Sequence, residues 1–134
     1  MTIPLWCLVM VALMPFGLAG MGGAYRRRQF GVMDNQHPRL QAAKLEGAGA
    51  RVWAAQQNAW EALIFFTAVV FVAHSAGADA ERSAIAAMVF VLTRLAHAAF
   101  YIANMAVLRS AVFVIGLLSG LYMIGLAAAV GGAP

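Results

Sequence analysis

The C-terminal stretch Ser110–Pro134, which reads SAVFVIGLLSGLYMIGLAAAVGGAP, contains no charged side chain. The N-terminal stretch Met1–Tyr25, MTIPLWCLVMVALMPFGLAGMGGAY, contains none either. A helix that crosses a lipid bilayer needs about 20 mostly apolar residues, and both stretches are long enough. The two ends of the chain therefore predict two membrane-spanning helices.

Two less apolar segments between these ends predict two further spans. The first is long enough only if it begins near Val52 and takes in Glu61. The second is long enough only if it continues through Arg94 to about Asn104. The sequence thus predicts four membrane-spanning helices, over residues 3–24, 50–75, 82–105 and 109–130.

The composition supports a membrane protein. The 134 residues are 63% hydrophobic and 10% charged, and the mean hydropathy is +0.81, whereas soluble domains are about 45–50% apolar and about 25% charged. These figures exclude disordered, collagen-like and disulfide-rich chains, and the single cysteine and absence of a Cys/His cluster indicate no metal site. We expect an all-α integral membrane protein, a four-helix bundle in one domain over residues 1–134.

The distribution of charge predicts the orientation. Nine Lys and Arg residues outnumber five Asp and Glu, for a net charge of +4. Because basic residues concentrate in cytoplasmic loops, we expect the first loop in the cytoplasm and both termini and the second loop on the opposite side. This distribution indicates contact with a bilayer and not with nucleic acid. The five cations of the first loop are Arg26, Arg27, Arg28, Arg39 and Lys44.

Polar side chains inside the spans mark a candidate site. An ionisable group within a membrane helix costs about 2.5–3.5 kcal/mol and usually faces a cavity or a partner. Spacings of three, four and seven residues place such groups on one stripe of a helix. Because successive spans run in opposite directions, the stripes lie at one depth on the cytoplasmic side. They comprise Arg51, Asn58 and Glu61 in the second span, Arg94, His97 and Tyr101 in the third, and Arg109 and Ser110 opening the fourth.

Each of these residues, taken alone, also fits a structural role. Glu61 and Arg94 fit a buried ion pair between helices, and Asn58 fits an interhelical hydrogen bond. Tyr101 fits the interfacial belt of aromatic side chains, and Arg109 fits a cation at a helix end. The convergence of three segments at one depth favours a binding site.

The chemistry of the set indicates an anionic ligand that also carries an amine. Arginines bind carboxylates, and a glutamate binds an ammonium group. The sequence shows no Ser/His/Asp triad, phosphate loop or metal motif, so the ligand is expected to supply its own nucleophile. A thiol fits, because a nearby cation lowers a thiol pKa and raises its thiolate fraction.

Three segments resemble the MAPEG superfamily, the membrane-associated proteins in eicosanoid and glutathione metabolism. They are RVWAAQQNAWE at residues 51–61, RLAHAAFY at residues 94–101, and Arg109-Ser110. The superfamily includes microsomal glutathione transferases, leukotriene C4 synthase and microsomal prostaglandin E synthase. The resemblance implies a homotrimer of four-helix subunits with glutathione sites between neighbouring subunits.

The resemblance also implies roles for individual residues. Asn58, Glu61, Arg94 and Tyr101 match positions that bind glutathione, and His97 matches a histidine of the prostaglandin synthase. Arg109 matches the arginine that stabilises the thiolate, and Ser110 matches a proposed thiol activator. The eicosanoid enzymes carry an arginine where this chain has Ala54 and a tyrosine where it has Phe113. We expect the missing arginine to be supplied either by Arg51, one turn from Ala54, or by one of Arg26, Arg27 and Arg28 at the end of the first span.

These observations predict a membrane-bound glutathione transferase or peroxidase whose second substrate, a lipophilic electrophile or hydroperoxide, enters from the bilayer. The alternative is a non-catalytic binding or regulatory protein in which the same cluster holds helices together or binds another anion. A small transporter subunit is a weaker third reading, because the chain lacks paired broken helices and inverted halves.

Overall fold

The computed structural model describes residues 1–131, and four long helices dominate it. Within this range the chain forms no strand. Four helices are long and apolar enough to cross a membrane, which confirms the predicted all-α fold with four spans. Residues 132–134, which the sequence analysis included in the domain and the C-terminal tail, lie outside the described residues. The helices are α1 (Ile3–Phe30), α2 (Pro38–Ala43), α3 (Gly47–Ser75), α4 (Ala80–Ile102) and α5 (Ala106–Gly131).

The helix ends differ from the predicted spans by up to six residues. Helix α1 continues through its arginines to Phe30, because cations in the last turn interact favourably with the helix dipole. It ends at Gly31, whose φ of 76° lies in the left-handed region that glycine adopts at helix ends. Helix α4 ends at Ile102 and α5 begins at Ala106, each three residues before the predicted boundary.

The first loop is short, and two glutamines tie it to the helices. Gln29 accepts a hydrogen bond from the Glu46 amide (3.1 Å) and donates to the Lys44 carbonyl (3.2 Å). Gln41 accepts from the Asp34 amide (3.0 Å) and donates to the Val32 carbonyl (2.8 Å). These bonds hold the end of α1 beside the start of α3.

Asp34 forms the turn that precedes α2. Its Oδ1 accepts hydrogen bonds from the amides of His37 (2.9 Å) and Gln36 (2.8 Å). These two N–H groups favour the ionised carboxylate, so they hold the pKa of Asp34 below its usual value. The ionised Asp34 carboxylate therefore stabilises the turn at neutral pH. This stabilisation is lost as the pH falls through the lowered pKa.

Replacing Asp34 by alanine is expected to loosen the loop, whereas Asp34→Asn, whose amide oxygen still accepts both bonds, is expected to preserve it. The measurement is the rate of trypsin cleavage after Arg39 at neutral pH, which should rise for the alanine variant only. Asp79→Ala removes the cap of α4, which accepts from the Arg82 amide, and serves as the matched control. Cleavage of Asp34→Ala at the wild-type rate would show that the turn does not order the loop.

The four spans pack around a central pair, α3 and α4. Helix α1 contacts α3 and α4, and α5 contacts the same two helices, but within residues 1–131 the Cα atoms of α1 and α5 do not approach within 8 Å. The rings of Phe66 and Phe90 stack at the centre, with centroids 4.2 Å apart and planes 3° from parallel. Because the spans alternate in direction, the first loop, the start of α3, the α4–α5 turn and the start of α5 share one end of the bundle, here termed the loop end.

Candidate functional site

The structure brings the predicted polar residues of α3 and α4 together in the half of the bundle nearer the loop end. Arg94 and His97 are buried on α4, with 6% and 5% of their surface exposed. On α3, Asn58 is half-buried and Glu61 is exposed, and Asn58 Nδ2 donates to Glu61 Oε2 over 3.3 Å. Two helices thus supply an amide, a carboxylate, a guanidinium and an imidazole to one region.

Glu61 and Arg94 face the same cavity without forming an ion pair. The cavity has a volume of about 160 Å³ and lies between α3, α4 and α5. Among residues 1–131 no carboxylate lies within 4.0 Å of the Arg94 guanidinium, so the alternative of a direct Glu61–Arg94 pair is wrong for this structure. Space remains between the two opposite charges. The remaining walls are Asn58, Ala62, Phe65, Phe90, Phe113 and Leu117.

The Arg94 guanidinium is held by aromatic rings and one weak hydrogen bond. Its Cζ lies 5.5 Å from the centre of the Phe90 ring and 5.3 Å from that of Phe113, distances at which a cation is attracted to a ring face. Its Nη2 donates to the Val112 carbonyl over 3.4 Å. Its Nε is buried and has no hydrogen-bond partner within the described part of the chain. This buried cation thus lacks the anion that normally accompanies a buried charge.

Gly116 on α5 makes room for this guanidinium. A Cβ atom at position 116 would lie 2.6 Å from Thr93 Oγ1 and 2.9 Å from Arg94 Nη2. Both distances are shorter than side chains tolerate, so α4 and α5 can approach this closely only at a glycine. Gly116 was not among the residues predicted from the sequence, although a glycine in the interior of an apolar helix is costly and can mark a close contact.

A second group of predicted residues lies at the α4–α5 turn. The Cζ atom of Arg109 sits 4.4 Å from the centre of the Tyr101 ring. The His97 ring lies between this pair and Arg94, with its centroid 5.7 Å from that of Tyr101 and 6.1 Å from that of Phe113. Ser110 is exposed and does not line the cavity of Glu61 and Arg94.

Arg51 does not reach the cavity and instead binds the end of α4. Its Nε donates to the Ile102 carbonyl over 2.9 Å, which joins α3 to a residue 51 positions further along the chain. The set predicted from sequence is therefore divided in the structure. Asn58, Glu61, Arg94 and His97 surround or adjoin the cavity, whereas Arg51, Tyr101 and Arg109 gather at the turn.

A larger cavity, of about 530 Å³, lies at the loop end between α1, α2 and α3. Its walls combine two arginines with glutamine and tryptophan side chains, including Arg26, Arg39, Gln56, Trp53 and Trp60. The polar part of α3 therefore lines two cavities with polar side chains on two faces. One carries Asn58 and Glu61, and the other carries Gln56.

Comparison with known proteins identifies the family of the chain. A search of curated proteins found no significant match. A family model described as the MAPEG family matches residues 3–129, which include all four spans and every candidate site residue. The match covers nearly the whole chain, and this integral multi-pass membrane protein belongs to the MAPEG family.

Proposed function

We propose that this protein is a glutathione-dependent transferase or peroxidase that acts on lipophilic electrophiles or hydroperoxides. Membership of the MAPEG family supports glutathione-related chemistry in a membrane. The observation that carries the proposal is the buried Arg94 guanidinium, which faces Glu61 across a cavity and has no anionic partner among residues 1–131. Glutathione has carboxylates for the arginine and an ammonium group for the glutamate, so it satisfies both charges at once.

The size of the cavity supports a site that is completed by a second subunit. Pockets for small molecules usually measure about 300–1,000 Å³, whereas this one measures about 160 Å³. One protomer therefore encloses part of a tripeptide and leaves the rest outside. We propose that the protein is a homotrimer with a glutathione site at each interface between subunits.

The exposure of Glu61 supports the same assembly. Glu61 lies within a membrane span and is exposed in the single chain, where contact with lipid would cost about 2.5–3.5 kcal/mol. A neighbouring subunit removes this cost if it covers Glu61 with polar groups. The face of α1 and α3 that carries Arg26 and Gln56 offers such groups.

We propose that the residues at the turn act on the sulfur. Arg109 would stabilise the thiolate of glutathione, since a nearby cation lowers a thiol pKa, with Tyr101 and Ser110 as hydrogen-bond donors. Asn58, Glu61, Arg94 and His97 would hold the tripeptide, whereas Arg51, which the sequence placed in the same set, binds the Ile102 carbonyl at the turn. The thiolate sulfur then attacks the electrophilic carbon of the second substrate, and the leaving group departs with the electron pair of the broken bond.

The walls of the Glu61–Arg94 cavity support a lipophilic second substrate. Phe65, Phe113 and Leu117 form its apolar side, and the same helices expose large apolar side chains such as Ile64 and Leu118 to the bilayer. An apolar molecule dissolved in the membrane can therefore reach the cavity without crossing water.

Turnover by the purified protein in detergent or nanodiscs tests the proposed activity. Conjugation of glutathione to chlorodinitrobenzene, with loss of chloride, and reduction of an organic hydroperoxide should both be measured. We expect at least one activity, with a loss of about 100-fold or more for Arg109→Leu, the size of effect seen when a transition-state donor is removed. Arg82→Leu, at the opposite end of the bundle, is the matched control. Binding of glutathione without either activity would favour the non-catalytic alternative.

Labelling of single cysteines tests the proposed orientation, in which the first loop is cytoplasmic and the N-terminus lies on the opposite side. In a Cys7→Ser background, cysteine is introduced at the exposed positions Asn35, in the first loop, or Ala76, in the second. A maleimide that cannot cross membranes should label Ala76→Cys on intact cells and Asn35→Cys only after permeabilisation. The reverse pattern would contradict the orientation drawn from the basic first loop.

A further inference from the structure

The turn between α4 and α5 has a defined hydrogen-bonding pattern. The Met105 amide donates to the Phe100 carbonyl (2.9 Å), and the Asn104 amide donates to the Tyr101 carbonyl (3.1 Å). Asn104 has a φ of 61°, in the left-handed region. This is the Schellman arrangement, with asparagine at the position that glycine usually occupies. This arrangement supplies a hydrogen-bond donor to the carbonyls of Phe100 and Tyr101 but none to the carbonyl of Ile102.

Arg51 donates the hydrogen bond that the Ile102 carbonyl does not receive within the turn. Its Nε donates to the Ile102 carbonyl over 2.9 Å, and the backbone hydrogen bonds of residues 1–131 outside the helices include none to that oxygen. A cation at the C-terminal end of a helix is also favoured by the helix dipole. Arg51 therefore fixes the end of α4 against the start of α3.

The groups proposed to act on the thiolate lie on either side of this fixed turn. Tyr101 belongs to the last turn of α4, and Arg109 belongs to the first turn of α5, where its amide donates to the Met105 carbonyl over 3.0 Å. The contact of the Arg109 guanidinium with the Tyr101 ring, at 4.4 Å, spans the turn. Any change in the path of residues 102–105 alters the relative position of these two side chains.

We infer that Arg51 is a positioning residue: by binding the Ile102 carbonyl it sets the geometry of the α4–α5 turn, and through it the placement of Arg109 and Tyr101. The inference rests on the proposed function, because it assigns Arg51 a role in the same reaction. It differs from the role expected from sequence, in which Arg51 touches the tripeptide. The two roles affect different kinetic quantities.

Arg51→Met and Arg51→Lys separate the two roles. If Arg51 positions the turn, Arg51→Met should lower kcat by about tenfold or more, because small displacements of catalytic groups are costly. KM for glutathione should change by less than about threefold. The pH midpoint of thiolate formation, followed by ultraviolet difference spectroscopy at saturating glutathione, should rise. Arg51→Lys, which restores a cationic donor, should recover most of the loss, and Arg82→Met is the control.

A second measurement does not depend on glutathione. Hydrogen exchange at the amides of residues 101–109 should be faster in Arg51→Met than in the wild type. Asn104→Ala, which disfavours the left-handed conformation without touching Arg51 or the cavity, should raise the exchange rate and the pH midpoint in the same direction. This variant also tests the inference if Arg51→Met does not fold.

The outcomes are distinct. A raised KM with an unchanged pH midpoint would overturn the inference and assign Arg51 to direct contact with the tripeptide. Unchanged exchange, kcat and midpoint in both variants would overturn it as well. Absence of a thiolate signal in the wild type would instead overturn the proposed function, and the positioning role would fall with it.

Discussion

Replacing Arg94 by methionine is expected to raise the thermal stability of the ligand-free protein and to weaken its affinity for glutathione. The guanidinium is buried, and among residues 1–131 it has no carboxylate partner. Exchanging buried ionic groups for apolar side chains of similar size often stabilises a protein, by up to about 4 kcal/mol. Thermal melting in detergent should therefore show a higher midpoint for Arg94→Met than for the wild type.

The same substitution removes the cation that we propose binds a carboxylate of glutathione. Loss of one partner of a buried charge pair costs about 2 kcal/mol or more, which is about 30-fold or more in the dissociation constant. Arg82→Met, which removes an exposed cation, should leave both quantities unchanged. A lower melting temperature combined with wild-type affinity would show that Arg94 serves packing and not binding.

Gly116→Ala is expected to damage both stability and the site. The added methyl group meets Thr93 Oγ1 at 2.6 Å and Arg94 Nη2 at 2.9 Å, so either α5 must shift or the Thr93 hydroxyl and the guanidinium must both move. Overpacking of this kind usually costs about 1–3 kcal/mol. Displacement of the guanidinium should weaken glutathione binding by about tenfold or more, since binding groups tolerate little misplacement. Thermal melting and calorimetric titration measure the two effects.

Gly125→Ala is the matched control on the same helix. A Cβ atom at position 125 meets nothing within 4 Å, and alanine favours a helix over glycine by up to about 1 kcal/mol. This variant should therefore be as stable as the wild type or slightly more stable, with unchanged affinity. If Gly116→Ala behaves like Gly125→Ala, the close approach of α5 to Arg94 does not constrain the site.

The four spans could be predicted from sequence because the length of an apolar stretch determines whether it can cross the bilayer. The exact ends could not, since they depend on hydrogen bonds between segments distant in the chain. The third span was predicted to reach residue 105, but Asn104 adopts a left-handed conformation and Arg51 binds the Ile102 carbonyl. The short helix α2 was not predicted either, although Pro38 in its first turn is typical of helix starts.

The sequence could predict which residues converge at the candidate site, but not which contacts each of them makes there. Helical spacing placed Asn58, Glu61, Arg94 and His97 at one depth, and these residues surround or adjoin one cavity. Spacing could not show that Glu61 and Arg94 stay apart, because their separation depends on how α3, α4 and α5 pack around the cavity. Nor could it show that Arg51 turns toward the end of α4.

The proposed function depends on whether glutathione binds in the cavity between Arg94 and Glu61. Isothermal titration of the purified wild-type protein with glutathione at neutral pH tests this most directly, with Arg94→Met titrated in parallel. The account predicts saturable binding in the micromolar to millimolar range for the wild type, and binding weaker by about 30-fold or more for the variant. Absence of binding at millimolar glutathione, or equal binding by both proteins, would contradict it.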